Sequence, residues 1–136
     1  MKIILKNFLT LQNISNLAKE IRVFFKIGSI ILINGPMGVG KTTLLREVLK
    51  EYKVSSPSFL HALTYGEFLH IDAYTLTKEQ FLLLNIEEEL ESKCIIIEWG
   101  NLVENIVKNF LATKIKLNID YHNEKREIVL MIDEGR

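Results

Sequence analysis

The chain has 136 residues, of which 48% are hydrophobic and 25% are charged. This size and composition are typical of one globular domain, and they predict a single domain over residues 1–136. The 17 lysine and arginine residues balance 17 aspartate and glutamate residues. A domain that grips nucleic acid directly usually carries a basic surplus, so we expect any role on nucleic acid to go through a partner.

Membrane and disulfide signals are absent from the sequence. No apolar run approaches the roughly 20 residues that a membrane span requires, and the N-terminus alternates charged and apolar residues too soon for a signal peptide. Cys94 is the only cysteine, which excludes an intramolecular disulfide and a thiolate metal cluster. We expect it to be a buried, inert thiol in a cytoplasmic protein that does not associate with membranes.

In chain order, strand-like and helix-like patterns alternate. Strands are predicted over residues 3–9, 30–33, 59–65, 68–74, 93–98, 114–121 and 127–132, with hairpin turns at 66–67 and 122–125. Helices are predicted over residues 10–25, from residue 43 to about residue 52, over residues 78–84 and over residues 101–111. Thr10 and Thr77 are the expected helix caps, and residues 87–89 are expected on a solvated helix face. The first helix is expected to bury the stripe Leu11, Ile14, Leu17, Ala18, Ile21 and Phe25.

One segment matches the phosphate-binding loop at every fixed position, between a predicted strand and a predicted helix. It reads Gly35, Pro36, Met37, Gly38, Val39, Gly40, Lys41 and Thr42. Glycines let successive backbone N–H groups turn inward toward phosphate oxygens, and the start of the helix adds its positive dipole end. Lys41 would neutralise the β- and γ-phosphates, and the Thr42 hydroxyl would bind Mg²⁺. The motif predicts a protein that binds a nucleoside triphosphate.

The order of elements predicts an α/β protein with a three-layer fold similar to P-loop NTPases. Its central mixed sheet is expected to have parallel core strands at the nucleotide site and antiparallel additions at its edges. Two of these strands end on a carboxylate, Asp72 and Glu98. A metal-bound triphosphate needs such an acid to hold the metal's water shell or to orient the attacking water. The alternative for each acid is a solvated strand cap.

Several other polar or aromatic residues have two readings. The segment from Ser55 to Ser58 is either a polar connector around a proline turn or a loop whose hydroxyl senses the γ-phosphate. Trp99, the only tryptophan, follows Glu98 and is either packed or part of a switch or interface. The three histidines, His61, His70 and His122, share no metal-ligand spacing and are expected to be ordinary structural or surface residues.

Arginine is scarce along the chain. The four arginines are Arg22, Arg46, Arg126 and Arg136, and none lies between residues 47 and 125. Nucleotide and small-molecule kinases usually clamp both phosphate groups with several lid arginines, and ring-forming ATPases need an arginine finger and a longer chain. Both classes are therefore disfavoured. Arg46 follows the phosphate loop and is expected to point away from it.

Four elements in this order resemble the TsaE (YjeE) family, the small ATPase subunit of the bacterial tRNA threonylcarbamoyladenosine machinery. The loop from Gly35 to Thr43 is similar to the family's Gly-x-x-Gly-x-Gly-Lys-Thr-Thr. Residues 54–59 are similar to its Val-x-Ser-Pro-Thr-Phe/Tyr, with Ser58 at the threonine position, and Tyr65 stands where that element ends in a tyrosine. Residues 70–74 resemble its His-Phe-Asp-Leu-Tyr, and residues 97–99 match its Ile/Val-Glu-Trp.

The resemblance implies binding of Mg²⁺ and ATP, weak ATP hydrolysis and association with the TsaD–TsaB pair, which modifies the tRNA adenosine next to the anticodon. It implies that Lys41 and Thr42 lie at the phosphates and metal, Glu98 at the metal and Asp72 near the hydrolytic water. Lys41, Asp72 and Glu98 would then be the catalytic residues. Nucleotide contacts are also implied for Thr43 and Ser58, and a contact with either nucleotide or partner is implied for Arg126.

The chain departs from the family pattern at three positions. Thr75 stands where the family commonly has an arginine. Any contact of that arginine with phosphate or a partner is therefore not expected in this chain. Gly100 replaces a common proline, and Ser58 replaces the usual threonine but keeps its hydroxyl. Two alternatives to an ATPase remain open at this point. One is a nucleotide-dependent binding module whose hydrolysis is incidental, and the other is a small-molecule kinase.

Overall fold

The computed structural model describes residues 1–55 and 62–133. These ranges form seven strands and five α-helices. The strands are β1 (Lys2–Leu9), β2 (Ser29–Asn34), β3 (Ala62–Tyr65), β4 (Phe68–Asp72), β5 (Cys94–Glu98), β6 (Thr113–His122) and β7 (Lys125–Asp133). The helices are α1 (Ile14–Arg22), α2 (Lys41–Val48), α3 (Lys78–Leu83), α4 (Ile86–Glu89) and α5 (Glu104–Val107). Short 3₁₀ turns cover Ala73–Thr75 and Gly100–Leu102.

All seven strands belong to one mixed sheet in the order β1-β7-β6-β2-β5-β4-β3. The central pairs β6–β2, β2–β5 and β5–β4 are parallel, and the outer pairs β1–β7, β7–β6 and β3–β4 are antiparallel. This confirms the predicted parallel core with antiparallel additions. β5 is buried along its whole length, as expected of a central strand that is covered on both faces.

Helices cover both faces of the sheet and give it three layers. Alternate residues of β2 point to opposite faces. Ile31 and Ile33 join one apolar cluster with residues of α1 and α2. Ile30 and Leu32 join a second cluster with residues of α3, α4 and α5. The core is therefore divided in two by the sheet, and the predicted three-layer fold is confirmed.

Three predicted helices are shorter than their sequence patterns suggest, and one of them is α2, which ends at Val48 rather than near residue 52. α1 begins at Ile14, and Thr10 and Asn13 exchange hydrogen bonds between side chain and backbone in the turn before it. Leu11 lies in that turn and is 83% exposed, so its predicted place in the buried stripe is wrong. The helix predicted over residues 101–111 is a 3₁₀ turn followed by the single turn of α5. Lys114 ends this region by donating hydrogen bonds to the carbonyls of Lys108 and Phe110.

Other local predictions agree with the structure. Thr77 caps α3 through a reciprocal pair of hydrogen bonds with Gln80. Cys94 is buried, and that burial raises the pKa of its thiol to about 12, which makes the thiolate scarce. None of the helices that the structure describes is long and apolar enough to cross a membrane.

The parallel strands place their carboxyl ends along one edge of the sheet. Glu98 of β5 is in register with Ile33 of β2 on one side and with Asp72 of β4 on the other. The phosphate loop leaves the end of β2 at the same edge. In open α/β sheets, ligands bind in the crevice outside the carboxyl ends of the strands.

Candidate nucleotide-binding site

The phosphate loop packs tightly against the sheet. Gly40 has a φ of 108° immediately before α2, a backbone conformation that favours glycine. At Gly35 a Cβ would lie 2.4 Å from the carbonyl oxygen of Ile119 in β6 and 2.8 Å from Val39. Any side chain at Gly35 would therefore push the loop away from β6, and glycine allows the close approach.

A cleft of about 270 Å³ opens beside this loop. Its walls combine the residues that the sequence singled out: Met37, Gly38, Gly40, Lys41, Thr42 and Thr43 from the loop and α2, and Asp72, Glu98 and Trp99 from the strand ends. The structure thus brings both predicted acids to the phosphate loop. Such a convergence of polar groups in a cleft is typical of a binding site.

Lys41 is held inside the loop and is only 6% exposed. Its ammonium donates hydrogen bonds to the carbonyl oxygens of Gly35 and Pro36, and it lies 3.7 Å from the centre of the Trp99 ring. Burial lowers the pKa of Lys41, and the negative charges of Glu98 and Asp72 oppose that shift. The positive charge therefore lies at the edge of the cleft in a fixed position.

Glu98 is the best-connected polar side chain of the site. The Thr42 hydroxyl donates to Glu98 Oε1 over 2.9 Å, and His70 Nε2 lies 2.6 Å from Glu98 Oε2. Burial raises the pKa of this carboxyl group, but hydrogen bonds and charge from His70, the Thr42 bond and the charge of Lys41 together lower it. The net shift is downward, so the carboxylate form is favoured at neutral pH.

His70 is the residue of this site that the sequence reasoning missed. It was expected to be an ordinary structural or surface histidine, and it is indeed fully buried, but it also contacts Glu98. His70 is in register with Ile96 on β5, two residues before Glu98. Because side chains alternate along a strand, residues two apart share a face. This register could have indicated the contact if the strand pairing had been known.

Asp72 caps a turn and also lies at the candidate site. Its Oδ1 accepts a hydrogen bond of 3.0 Å from the backbone N–H of Tyr74, so it caps the 3₁₀ turn that follows β4. It also lines the cleft. Thr75, at the position of the common family arginine, donates from its hydroxyl to the Asp72 carbonyl oxygen over 3.4 Å. A strand cap and a candidate active-site acid therefore coincide.

The turn after β5 is joined to the end of β2. Trp99 has a left-handed backbone with φ of 60°, and its ring lies 4.9 Å from that of Tyr74 between centroids. The next residue, Gly100, packs so closely that a Cβ would lie 2.6 Å from Leu32 Cβ. The Asn34 side chain accepts from the backbone N–H of Asn101 over 2.7 Å. Contacts with β2 therefore hold the turn that follows Glu98 and Trp99 in place.

Arg126 lies beside the phosphate loop although 87 residues separate it from Val39. Its guanidinium donates to the Val39 carbonyl oxygen over 3.3 Å, and a Cβ on Gly40 would lie 2.9 Å from the same nitrogen. Arg46 instead donates to the Val54 carbonyl oxygen, away from the cleft. Arg22 bonds Glu51 and the Val48 carbonyl between α1 and α2. Among the arginines that the structure describes, Arg126 is the one next to the loop.

Part of the predicted site lies outside the described residues. Ser58 and His61 fall in residues 56–61, so the sensing-loop interpretation stays a prediction. Ser55 is described, and its backbone N–H donates to the Tyr65 hydroxyl over 3.0 Å. Within residues 1–55 and 62–133, no group of three or more histidine, cysteine, aspartate or glutamate side chains could hold a metal ion.

The chain is similar to known proteins over nearly its whole length. The model of a family described as threonylcarbamoyl adenosine biosynthesis protein TsaE matches residues 9–128. The protein named tRNA threonylcarbamoyladenosine biosynthesis protein TsaE from Rickettsia felis is 29% identical over 131 residues, which cover 89% of this chain and 75% of that protein. Its namesake from Rickettsia bellii is 28% identical over 133 residues, covering 90% of each chain.

A solved structure has the same fold. The crystal structure of Bacillus subtilus YdiB superposes with a TM-score of 0.72 at 20% sequence identity, covering 99% of this chain and 89% of that one. At this level of identity the similarity concerns the arrangement of the backbone alone.

Proposed function

Because this chain belongs to the TsaE family and so to tRNA threonylcarbamoyladenosine biosynthesis, we propose that it binds Mg²⁺ and ATP there and hydrolyses ATP. It acts with homologues of TsaD and TsaB and reaches tRNA through them, in the cytoplasm. The zero net charge supports an indirect contact with tRNA, because direct binding usually needs a basic surface.

The hydrogen bond between Thr42 and Glu98 is the observation that best supports this proposal. It places a hydroxyl and a carboxylate oxygen 2.9 Å apart at the start of α2, beside the phosphate loop. Hard oxygen donors of this kind suit Mg²⁺, which usually takes one or two protein ligands and completes its shell with water and substrate phosphates. The donor set therefore fits the cation, which would neutralise developing charge on the phosphates.

The remaining side chains have separate tasks in this proposal. Lys41 and the N–H groups of the loop bind the phosphate oxygens, and the start of α2 adds a favourable dipole. Asp72 orients the attacking water from the end of β4, where it lines the cleft. Arg126 contacts the loop from the side of β7 and adds positive charge near the phosphates. Ser58 remains the proposed sensor of the γ-phosphate.

Substituting Glu98 with glutamine tests this assignment, because glutamine keeps the shape and one oxygen but removes the charge. We expect Glu98→Gln to keep ATP binding in titration calorimetry while the steady-state rate of hydrolysis falls by about tenfold to hundredfold, as for loss of one charged contact. The matched control is Glu104→Gln, which removes a surface ion pair with Lys116.

The outcomes separate the candidate functions. Absence of ATP binding by the wild-type protein would contradict the nucleotide site altogether. Wild-type hydrolysis by Glu98→Gln would make Glu98 structural and Asp72 the leading acid. If Glu98→Gln stops hydrolysis but the TsaD–TsaB complex still turns over, the protein is instead a nucleotide-dependent binding module with incidental hydrolysis.

A further inference from the structure

His70 is a fully buried polar residue that the proposed function does not use. It lies in β4 in register with Ile96, and both Ile96 and Phe68, which share its face of the sheet, belong to an apolar cluster of the core. Its Nε2 lies 2.6 Å from Glu98 Oε2, and its Nδ1 has no hydrogen-bond partner among the residues that the structure describes. One ring nitrogen is thus committed to Glu98, and the other is buried alone.

This arrangement is costly for a residue that only fills space. A buried polar atom without a partner is destabilising, and an apolar side chain at this position in β4 would avoid that cost. An ionised carboxylate can only accept hydrogen bonds, so Nε2 must be the donor in the contact with Glu98. The useful part of His70 is therefore the N–H group directed at Oε2.

The two oxygens of Glu98 are held by different partners. His70 contacts Oε2 from the interior, and the Thr42 hydroxyl contacts Oε1 at the cleft. The terminal torsion of a glutamate side chain is broad, so a carboxylate held at one oxygen alone could turn about its axis. Contact with His70 restricts this rotation and leaves Oε1 as the oxygen that faces the cleft.

We propose that His70 is a positioning residue for Glu98, which it orients so that Oε1 alone meets the cation of the nucleotide site. This inference rests on the proposed function, because it presumes a cation beside Thr42 and Glu98. Partners that hydrogen-bond a metal-binding side chain from behind typically change metal affinity by about 10–100-fold when they are removed. We expect loss of His70 to weaken nucleotide binding in the presence of Mg²⁺ and to leave nucleotide binding in the absence of Mg²⁺ unchanged.

Titration calorimetry with a non-hydrolysable ATP analogue tests the inference, with each protein measured in excess Mg²⁺ and in EDTA. His70→Phe keeps a ring but removes the donor, and we expect its affinity in Mg²⁺ to fall about 10–100-fold while its affinity in EDTA stays at the wild-type value. His70→Gln, whose amide can place a donor near the position of Nε2, should restore most of the Mg²⁺-dependent affinity. His122→Gln, at an exposed histidine of the β6–β7 hairpin, is the matched control.

A double-mutant comparison shows whether His70 acts through Glu98. In a Glu98→Gln background, His70→Phe should have little further effect on the Mg²⁺-dependent affinity. Wild-type Mg²⁺ dependence in His70→Phe would overturn the inference, and so would an equal loss of affinity in Mg²⁺ and in EDTA. If His70→Phe does not fold, the comparison of His70→Gln with the shorter His70→Asn decides, and equal affinities in Mg²⁺ would overturn the inference. A wild-type protein that binds the analogue equally with and without Mg²⁺ contradicts the proposed function itself.

Discussion

At the scale of single residues, we expect Lys41 to have the largest effect on the proposed binding of ATP. Its ammonium is buried within the loop, donates to two loop carbonyls and lies on the Trp99 ring. Holding a charge away from water is unfavourable unless the charge is compensated, which is consistent with the lowered pKa of this group. Anionic phosphate oxygens would supply that compensation.

Substituting Lys41 with alanine removes this charge, and we expect ATP affinity to fall by about tenfold to hundredfold. A charge-assisted contact is typically worth about 1.5–3 kcal/mol, which corresponds to that range. Titration calorimetry measures the loss. Lys50→Ala, an exposed lysine beyond the end of α2, is the control and should bind as the wild type does. Wild-type affinity in Lys41→Ala would contradict the assignment of the phosphate loop.

The fluorescence of Trp99 offers a second way to follow the proposed binding of ATP. It is the only tryptophan of the chain, and its ring lies 3.7 Å from the Lys41 ammonium. Phosphates bound to Lys41 would change the electrostatic field at the indole ring. We therefore expect Mg²⁺ with ATP to change the tryptophan emission. A fluorescence titration measures this change, and Lys41→Ala should reduce it. A flat titration at saturating nucleotide would count against a switch role for Trp99.

At the scale of elements, the turn from β5 into the 3₁₀ segment Gly100–Leu102 fixes the position of Trp99 and Glu98. Gly100 replaces a residue that is commonly proline in the family, and the structure gives a physical reason for glycine here. A Cβ at this position would lie 2.6 Å from Leu32 Cβ and 2.9 Å from Leu32 Cα. Such approaches require the turn or β2 to move.

We therefore expect Gly100→Ala to destabilise the protein by about 1–3 kcal/mol, the usual cost of overpacking a core. Chemical denaturation monitored by circular dichroism measures the free energy of unfolding. Leu102→Ala changes an exposed residue of the same turn and should stay within about 0.5 kcal/mol of the wild type. If Gly100→Ala is as stable as that control, the turn has enough freedom to absorb a side chain.

Some helix boundaries are set by neighbouring residues in the chain, and others are set by tertiary packing. α3 follows its prediction because Thr77 and Gln80 form a cap from neighbouring residues. The pattern over residues 101–111 has helical spacing, but a left-handed Trp99 and the contacts of Lys114 confine the helix to a single turn. Capping depends on three or four adjacent residues, whereas these limits come from packing on β2 and β6.

At the scale of the whole molecule, arginine is sparse around the candidate site among the residues that the structure describes. Arg126 is the described arginine beside the loop, and Arg46 is directed at Val54. Enzymes of phosphoryl transfer stabilise transition-state charge with an arginine supplied by the same chain or by a partner, worth about 10³–10⁵ in rate. A protein with this distribution of charge is suited to activation by a partner.

We expect the isolated protein to hydrolyse ATP slowly and the TsaD–TsaB complex with tRNA to accelerate it, either by adding a cation or by contacting the segment from Ser55 to Ser58. Steady-state hydrolysis, measured alone and with the complex, tests this. Serum albumin at the same concentration is the control for nonspecific protein effects. If the isolated protein hydrolyses ATP fast and its partners leave that rate unchanged, the expectation is contradicted, and an independent ATPase or a kinase is favoured.

The phosphate loop, the two strand-end acids and the resemblance to the family could be recognised from the sequence alone, because each rests on short motifs whose residues are adjacent in the chain. The alternation of apolar runs was also enough to predict a mixed sheet with a parallel core. Only the tertiary structure decided that His70 contacts Glu98, that Arg126 reaches Val39 and that Gly100 packs on Leu32. These contacts join strands and turns far apart in the chain, and they depend on strand order and register, which local patterns do not specify.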